Sequence, residues 1–205
     1  MSIKKIVISN FRCFESVELE FSELNNFIYG ANGSGKTSVL EALYFCSTGR
    51  SFKSSNKNLC IQNNKEAFKI QVDTSDNNKI CILKEAKKSI SFEINEGKAT
   101  SIELFRAIPS TLLDNKTFSM FADTPKYRRK ILDRCLMASD KNYSKDFFSF
   151  HRSLKQRNAA LKFKRLTNID MWSEIFINSG TLISEKRNSF FQETKQTFFQ
   201  FAKNL

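Results

Sequence analysis

Glycine is scarce in this chain of 205 residues: there are six, and three of them fall within eight consecutive positions. Histidine is reduced to His151, which sits in a basic stretch of helical pattern with no cysteine nearby, so it reads as a surface or packing residue rather than a catalytic base. Five cysteines, Cys13, Cys46, Cys60, Cys81 and Cys135, are an odd number with no Cys-x-x-Cys pair. That spacing argues against a zinc site and against a disulfide framework, and buried free thiols are expected. No run of 18 apolar residues occurs, and Met1-Ser2-Ile3-Lys4-Lys5 lacks the apolar core of an export signal. A soluble, cytoplasmic protein is expected, long enough for one large domain or a domain with a subdomain.

Acidic charge is also in short supply, and unevenly so. Residues 1–120 hold 16 Lys/Arg against 13 Asp/Glu, whereas residues 121–205 hold 17 against 8, giving +9 of the net +12 to the second segment. The expected partner is a polyanion that meets this second segment.

The clustered glycines mark Gly30-Ala31-Asn32-Gly33-Ser34-Gly35-Lys36-Thr37, a phosphate-loop pattern of Gly, four residues, Gly, Lys and Ser/Thr. Asn26 to Tyr29 reads as a short buried strand before it, and Ser38 to Phe45 has helical spacing after it. In that arrangement the amides of Asn32 to Lys36 form an anion nest at a helix N-terminus, and Lys36 reaches the β- and γ-phosphates of a nucleotide. The hydroxyl of Thr37 holds Mg²⁺, and the nucleotide contacts run from Gly30 to Ser38.

Ile3 to Ser9 and Val17 to Phe21 read as strands joined by the basic aromatic turn Asn10-Phe11-Arg12-Cys13-Phe14. Arg12 there is either a nucleotide contact or an exposed loop arginine. Gly49 is placed to end the loop helix. Arg50 follows it, either folding back onto phosphate or DNA, or complementing the helix dipole. Residues 54–66 read as a polar, mobile loop. Phe68–Val72, Lys79–Lys84 and Ser89–Asn95 then form an antiparallel meander with turns at Asp76-Asn77-Asn78 and Asn95-Glu96-Gly97.

From residue 121 the pattern is helical. Asp123-Thr124-Pro125 opens one helix, a second runs from about Asn142 to Lys164, and a third from about Asp170 to Lys203. Their aromatic stripes have helical spacing and read as core. Arg152, Lys155, Arg157, Lys162, Lys164 and Arg165 line the polar side of the middle helix with no acid between Phe147 and Asn168, which makes them the candidate DNA contacts.

Pro125-Lys126-Tyr127-Arg128-Arg129-Lys130-Ile131-Leu132-Asp133 and Leu154-Lys155-Gln156-Arg157-Asn158 resemble signatures of the bacterial RecF family. Asn10-Phe11-Arg12, Thr37 to Ala42 and Gly49-Arg50-Ser51-Phe52 resemble it as well, so the likeness runs collinearly over the whole chain. The resemblance implies an α/β fold: the N-terminal part of an ABC-type P-loop ATPase head like those of SMC and Rad50 proteins, with a mixed sheet, an antiparallel meander and a helical lobe. The expected division is residues 1–120 and 121–205.

The family likeness further implies binding of ATP and Mg²⁺, dimerisation around ATP, and engagement of single-stranded or gapped DNA. RecO and RecR would be the partners, with roles in replication, gap repair and SOS induction. A complete head also carries a Walker B strand ending in Asp-Glu, a Ser-Gly-Gly-Gln-like signature and a metal-sensing glutamine. Leu112-Leu113-Asp114 and Ile131-Leu132-Asp133 do not match the first, and no glutamine lies between Gln71 and Gln156, where Thr111 takes its place. Nucleotide binding without efficient turnover is therefore expected from these residues. Two competing readings are a P-loop enzyme acting on a small substrate and a DNA-binding remnant indifferent to nucleotide.

Overall fold

The computed structural model describes residues 2–114, 125–164 and 167–203. They fall into two compact units, Met1–Leu113 and Asp114–Leu205.

The first unit is built on a six-stranded sheet. Strands β1 (Ile3–Phe11), β2 (Phe14–Glu20), β3 (Ala67–Thr74), β4 (Lys79–Glu85), β5 (Ser91–Ile94) and β6 (Gly97–Lys98) lie in the order β2-β1-β3-β4-β5-β6, and each neighbouring pair runs antiparallel. The alternation Phe68, Ile70, Val72 against Lys69, Gln71, Asp73 fixes the register, because a slip of one residue would turn the apolar set outward. The inward set packs on helix α1 (Lys36–Thr48), and α1 in turn on the short α2 (Ser101–Ala107). Phe11, Phe45 and Phe68 meet edge to face, with ring centres 5.1 to 6.2 Å apart, at the centre of this core. Full burial of each such ring or isoleucine contributes about 1.5–3 kcal/mol.

Helix α1 ends where the glycine spacing predicts. Gly49 takes φ +63°, its amide donates to the Phe45 carbonyl at 2.8 Å, and a Cβ there would stand 2.6 Å from the Phe92 ring. The meander and both of its turns form as expected, with Asn77, Asn95 and Glu96 at positive φ.

Three expectations are corrected. Asn26–Tyr29 is not a buried strand: Phe27 is 87% and Tyr29 92% exposed, and the run forms no ladder. A strand is completed by a neighbour that takes its backbone groups, and none of the described strands lies beside it. Within the supposed loop 54–66, Lys57–Cys60 forms a 3₁₀ turn capped by the Asn56 side chain, with Cys60 fully buried and Ile61 bridging to Phe11. The division between units falls at Leu113 rather than 120. Helix α2 was not expected, although Thr100 and Glu103 form the reciprocal capping box that Thr-x-x-Glu encodes.

The second unit contains α3 (Pro125–Ser139), α4 (Tyr143–Lys162) and α5 (Ile169–Lys203); the Asp123-Thr124 cap expected for α3 lies outside the described residues. The three helices enclose a small apolar cluster of Leu136, Tyr143 and Ile183. Beside it is a buried polar junction. Asp133 of α3 accepts from Arg187 Nε at 2.7 Å and Nη2 at 2.9 Å, and from the Tyr143 hydroxyl at 2.5 Å. Burial and the adjoining Asp133 carboxylate push the Tyr143 hydroxyl pKa up. Asp133 is thus a helix-joining residue, in line with its failure to match a Walker B acid.

Removing one member of such a junction strands the others in a poorly hydrated site. Asp133→Ala is expected to lower stability of the helical unit by about 3 kcal/mol. Urea denaturation followed by the fluorescence of Trp172, the single tryptophan, measures it.

Candidate functional site

The glycine-rich loop wraps the N-terminus of α1. Gly35 is its N-cap at φ +92°, Gly33 has φ +84°, and a Cβ on Gly35 would overlap the Phe14 ring at 2.4 Å. The loop therefore lies directly on the β1–β2 turn. The first amides of α1 have no helical acceptor and point out of the helix end, which carries partial positive charge. The Lys36 ammonium bonds back to the carbonyls of Gly30 at 2.8 Å and Ala31 at 2.7 Å.

A cavity of about 650 Å³ opens over this loop, lined by Asn32, Gly33, Gly35, Lys36, Thr37 and Ser38, with Arg12, Cys13 and Lys53 on its other walls. No carboxylate lines it. Thr37 is exposed, so its hydroxyl is available to a metal ion, though with a single protein oxygen that metal would depend on ligand oxygens for the rest of its shell. Gly30, Ala31 and Ser34 belong to the same loop; Ser34 closes it with an amide bond to the Ala31 carbonyl at 3.2 Å.

Arg12 reaches the cavity through a constrained turn. It sits at φ +55° in the two-residue connection between Phe11 and Phe14. Its Nε donates to Glu41 Oε2 at 3.0 Å, its Nη2 to Glu41 Oε1 at 2.7 Å, and its Nη1 to the Leu59 carbonyl at 2.6 Å. Glu41, on α1, has no solvent exposure. The Ser51 hydroxyl also donates to it, and accepts in turn from the amides of Lys53 and Ser54 at 2.9 and 3.0 Å. Burial pushes the Glu41 carboxyl pKa up, but the hydrogen bonds from Arg12 and Ser51 and the Arg12 charge outweigh it, leaving the group below its ordinary value. The same bond with Glu41 raises Arg12. One carboxylate thus joins the hairpin turn, the loop helix and the 51–60 segment.

The other expected residues are dispersed. Arg50 is exposed and does not line the phosphate-loop cavity. On the helical unit Arg152, Lys155 and Lys162 are exposed on α4, and Lys164 is exposed just beyond it. Arg157 is committed to packing: its Nε donates to Ser173 Oγ at 3.1 Å, and the guanidinium lies 5.9 Å from the Phe176 ring centre. Arg165 lies outside the described residues. Glu41 is the site residue missed from sequence; its signal was an acid on the apolar face of a loop helix, where an uncompensated charge would be costly.

A sheet-backed helix launched from a glycine loop, joined to a helical unit, defines the N-terminal part of an α/β ABC-type ATPase head, and the chain belongs to the AAA domain family, whose pattern matches residues 5–203. Within it the chain is similar to the DNA replication and repair protein RecF. It is 33% identical over 195 residues to that of Shewanella piezotolerans, covering 93% of this chain and 54% of the relative. To that of Pseudoalteromonas translucida it is 34% identical over 207 residues, covering 97% and 57%. A solved structure of the recombination mediator protein RecF with ATP superposes with TM-score 0.86 at 27% identity, covering 100% of this chain and 57% of that one. The chain spans about half the length of these relatives and corresponds to their N-terminal half. An SMC ATPase head shares the fold, with TM-score 0.53 at 20% identity over 66% of this chain.

The Glu41 junction makes a pH prediction. A carboxyl held below its unfolded value adds stability that is present above the unfolded pKa and lost as pH falls through the folded one. Glu41→Ala is expected to cost about 2–3 kcal/mol near neutrality, less than a fully enclosed pair because Arg12 is 22% exposed and regains some water. The difference from the parent chain should shrink on acidification below about pH 4, where the parent's own carboxyl protonates; denaturant titrations at several pH values measure this.

Proposed function

We propose that this chain is the nucleotide-binding portion of a RecF-like DNA repair protein that binds ATP with Mg²⁺ and engages DNA. The observation that carries the reading is the phosphate loop itself. Its glycines hold the backbone around an open cavity, and the Lys36 ammonium is parked on loop carbonyls within reach of that cavity. Lys36 exchanges those carbonyls for the β- and γ-phosphates, and the helix amides take the remaining oxygens. Arg12, held by Glu41 on the cavity wall, faces the bound nucleotide.

Mg²⁺, when bound, neutralises phosphate charge, and Thr37 is the residue that would hold it. Because no carboxylate lines the cavity, the chain binds nucleotide without efficient hydrolysis. Dimerisation around ATP, loading of partners such as RecO and RecR, gap repair and SOS induction belong to the whole-protein role that the RecF likeness supports. DNA contact on the helical unit is assigned to Arg152, Lys155, Lys162 and Lys164, which are exposed, with Arg157 chiefly structural.

Lys36→Ala tests the central claim. Loss of the ammonium is expected to weaken ATP binding at least about 100-fold, roughly 3 kcal/mol, with the melting temperature of the protein unchanged. Titration of a fluorescent ATP analogue reads the affinity, and an undiminished value would remove nucleotide binding by this loop.

A further inference from the structure

Beyond the phosphate-loop cavity, the first unit carries a second basic depression that the nucleotide does not account for. It has a volume of about 420 Å³ and is lined by Arg50, Lys53 and Lys57, with Ser51, Ser54 and Ser55 between them. No acid lines it, and among the described residues none of the three cations makes an ion pair.

These cations are held in place by the fold. Ser51 is bonded to the buried Glu41 and gathers the amides of Lys53 and Ser54, so the segment leaves α1 on a fixed path. Asn56 caps the 3₁₀ turn that carries Lys57, accepting from the Asn58 amide at 3.0 Å. Lys57 is half-buried and its ammonium lies 5.9 Å from the Phe92 ring centre. Burial, and then the positive fields of Arg50 and Lys84, push its pKa down. Like charges crowded without a counter-charge are a cost in the unliganded chain that an arriving anion relieves.

We propose that Arg50, Lys53 and Lys57 form a second phosphate site on the ATPase unit, and that it takes a backbone phosphate of DNA. This rests on the DNA-binding reading above and extends it from the helical unit to the first unit. Three cations with interleaved hydroxyls fit a phosphodiester, to which arginine, lysine and serine donate without regard to sequence. Lys53 lines both this depression and the phosphate-loop cavity, so the two anion sites adjoin. They also share a support, because Glu41 holds Arg12 for one and Ser51 for the other. Arg50 and Lys57 line the second site and not the first, so they separate the two experimentally.

The test compares the parent chain with Arg50→Gln/Lys57→Gln, measuring affinity for a gapped duplex by fluorescence anisotropy across a salt series, with a separate titration of ATP. The double variant is expected to lose about tenfold in DNA affinity near 0.1 M salt. Its slope of log affinity against log salt should be shallower by about 2, one unit for each lost phosphate contact. ATP affinity is expected to stay within about twofold, and Arg50→Lys/Lys57→Arg, which keeps both charges and so guards against a folding defect, to retain DNA affinity. DNA binding by the variant with the parent's affinity and slope would overturn the second site while leaving the DNA-binding reading intact. Loss of ATP affinity with DNA affinity unchanged would overturn it in favour of a nucleotide phosphate. A parent chain that binds no gapped DNA would overturn both readings.

Discussion

The buried carboxylate of Glu41 is the constraint on which the site depends. A charge with no solvent exposure persists only if its hydrogen-bonding capacity is met. Here it is met by a bidentate arginine from the hairpin turn and a serine from the segment beyond α1. Because Glu41 sits just over one helical turn from Lys36, satisfying it also fixes where those two segments stand relative to the phosphate loop. Arg12 tolerates a left-handed backbone in a two-residue turn because the ion pair and the Leu59 carbonyl hold its side chain from both ends.

A second contact enforces the same arrangement by shape. Phe14 fills the space where a Cβ on Gly35 would stand, so the strand turn packs on the loop's own backbone. Any side chain at that position would meet two obstacles, the positive φ and the ring. The loop is thus positioned by charge through Glu41 and by exclusion through Phe14, with α1 serving both. The open cavity above it follows from the fact that neither support intrudes on the outward side.

Features written in neighbouring residues were legible from the sequence. The loop pattern, the Gly49 stop, the alternating meander strands and the turns at Asn77 and Asn95 depend on local geometry, and the structure contains them. The capping box at Thr100 and Glu103 was equally local and was overlooked. What could not be read were relations across distance. Arg12 and Glu41 are 29 residues apart, and nothing near Arg12 distinguishes an anchored guanidinium from a loose one. Asn26–Tyr29 has the composition of a strand, but composition does not supply the neighbouring strand that would bury Phe27 and Tyr29. The polar stretch 54–66 looked mobile because Cys60 and Ile61, which pin it to the core, are thinly spread among asparagines and lysines.

The net charge of +12 also divides differently in three dimensions than along the chain. Some of the basic residues serve the fold. Arg187 closes on Asp133, Lys186 spans Asp140 and Asp146 at 2.8 and 3.1 Å, Arg157 caps Phe176, and Arg12 neutralises Glu41. Their charges are met within the protein and add little to its far field. Arg50, Lys53, Arg152, Lys155 and Lys162 are instead exposed. An incoming polyanion releases counterions from exposed cations such as these, so the salt dependence of binding counts the second group and not the formal charge. Two of the five stand on the first unit beside the nucleotide cavity. The concentration of positive charge in the second half of the sequence therefore understates how much of the anion-binding surface belongs to the phosphate-loop unit.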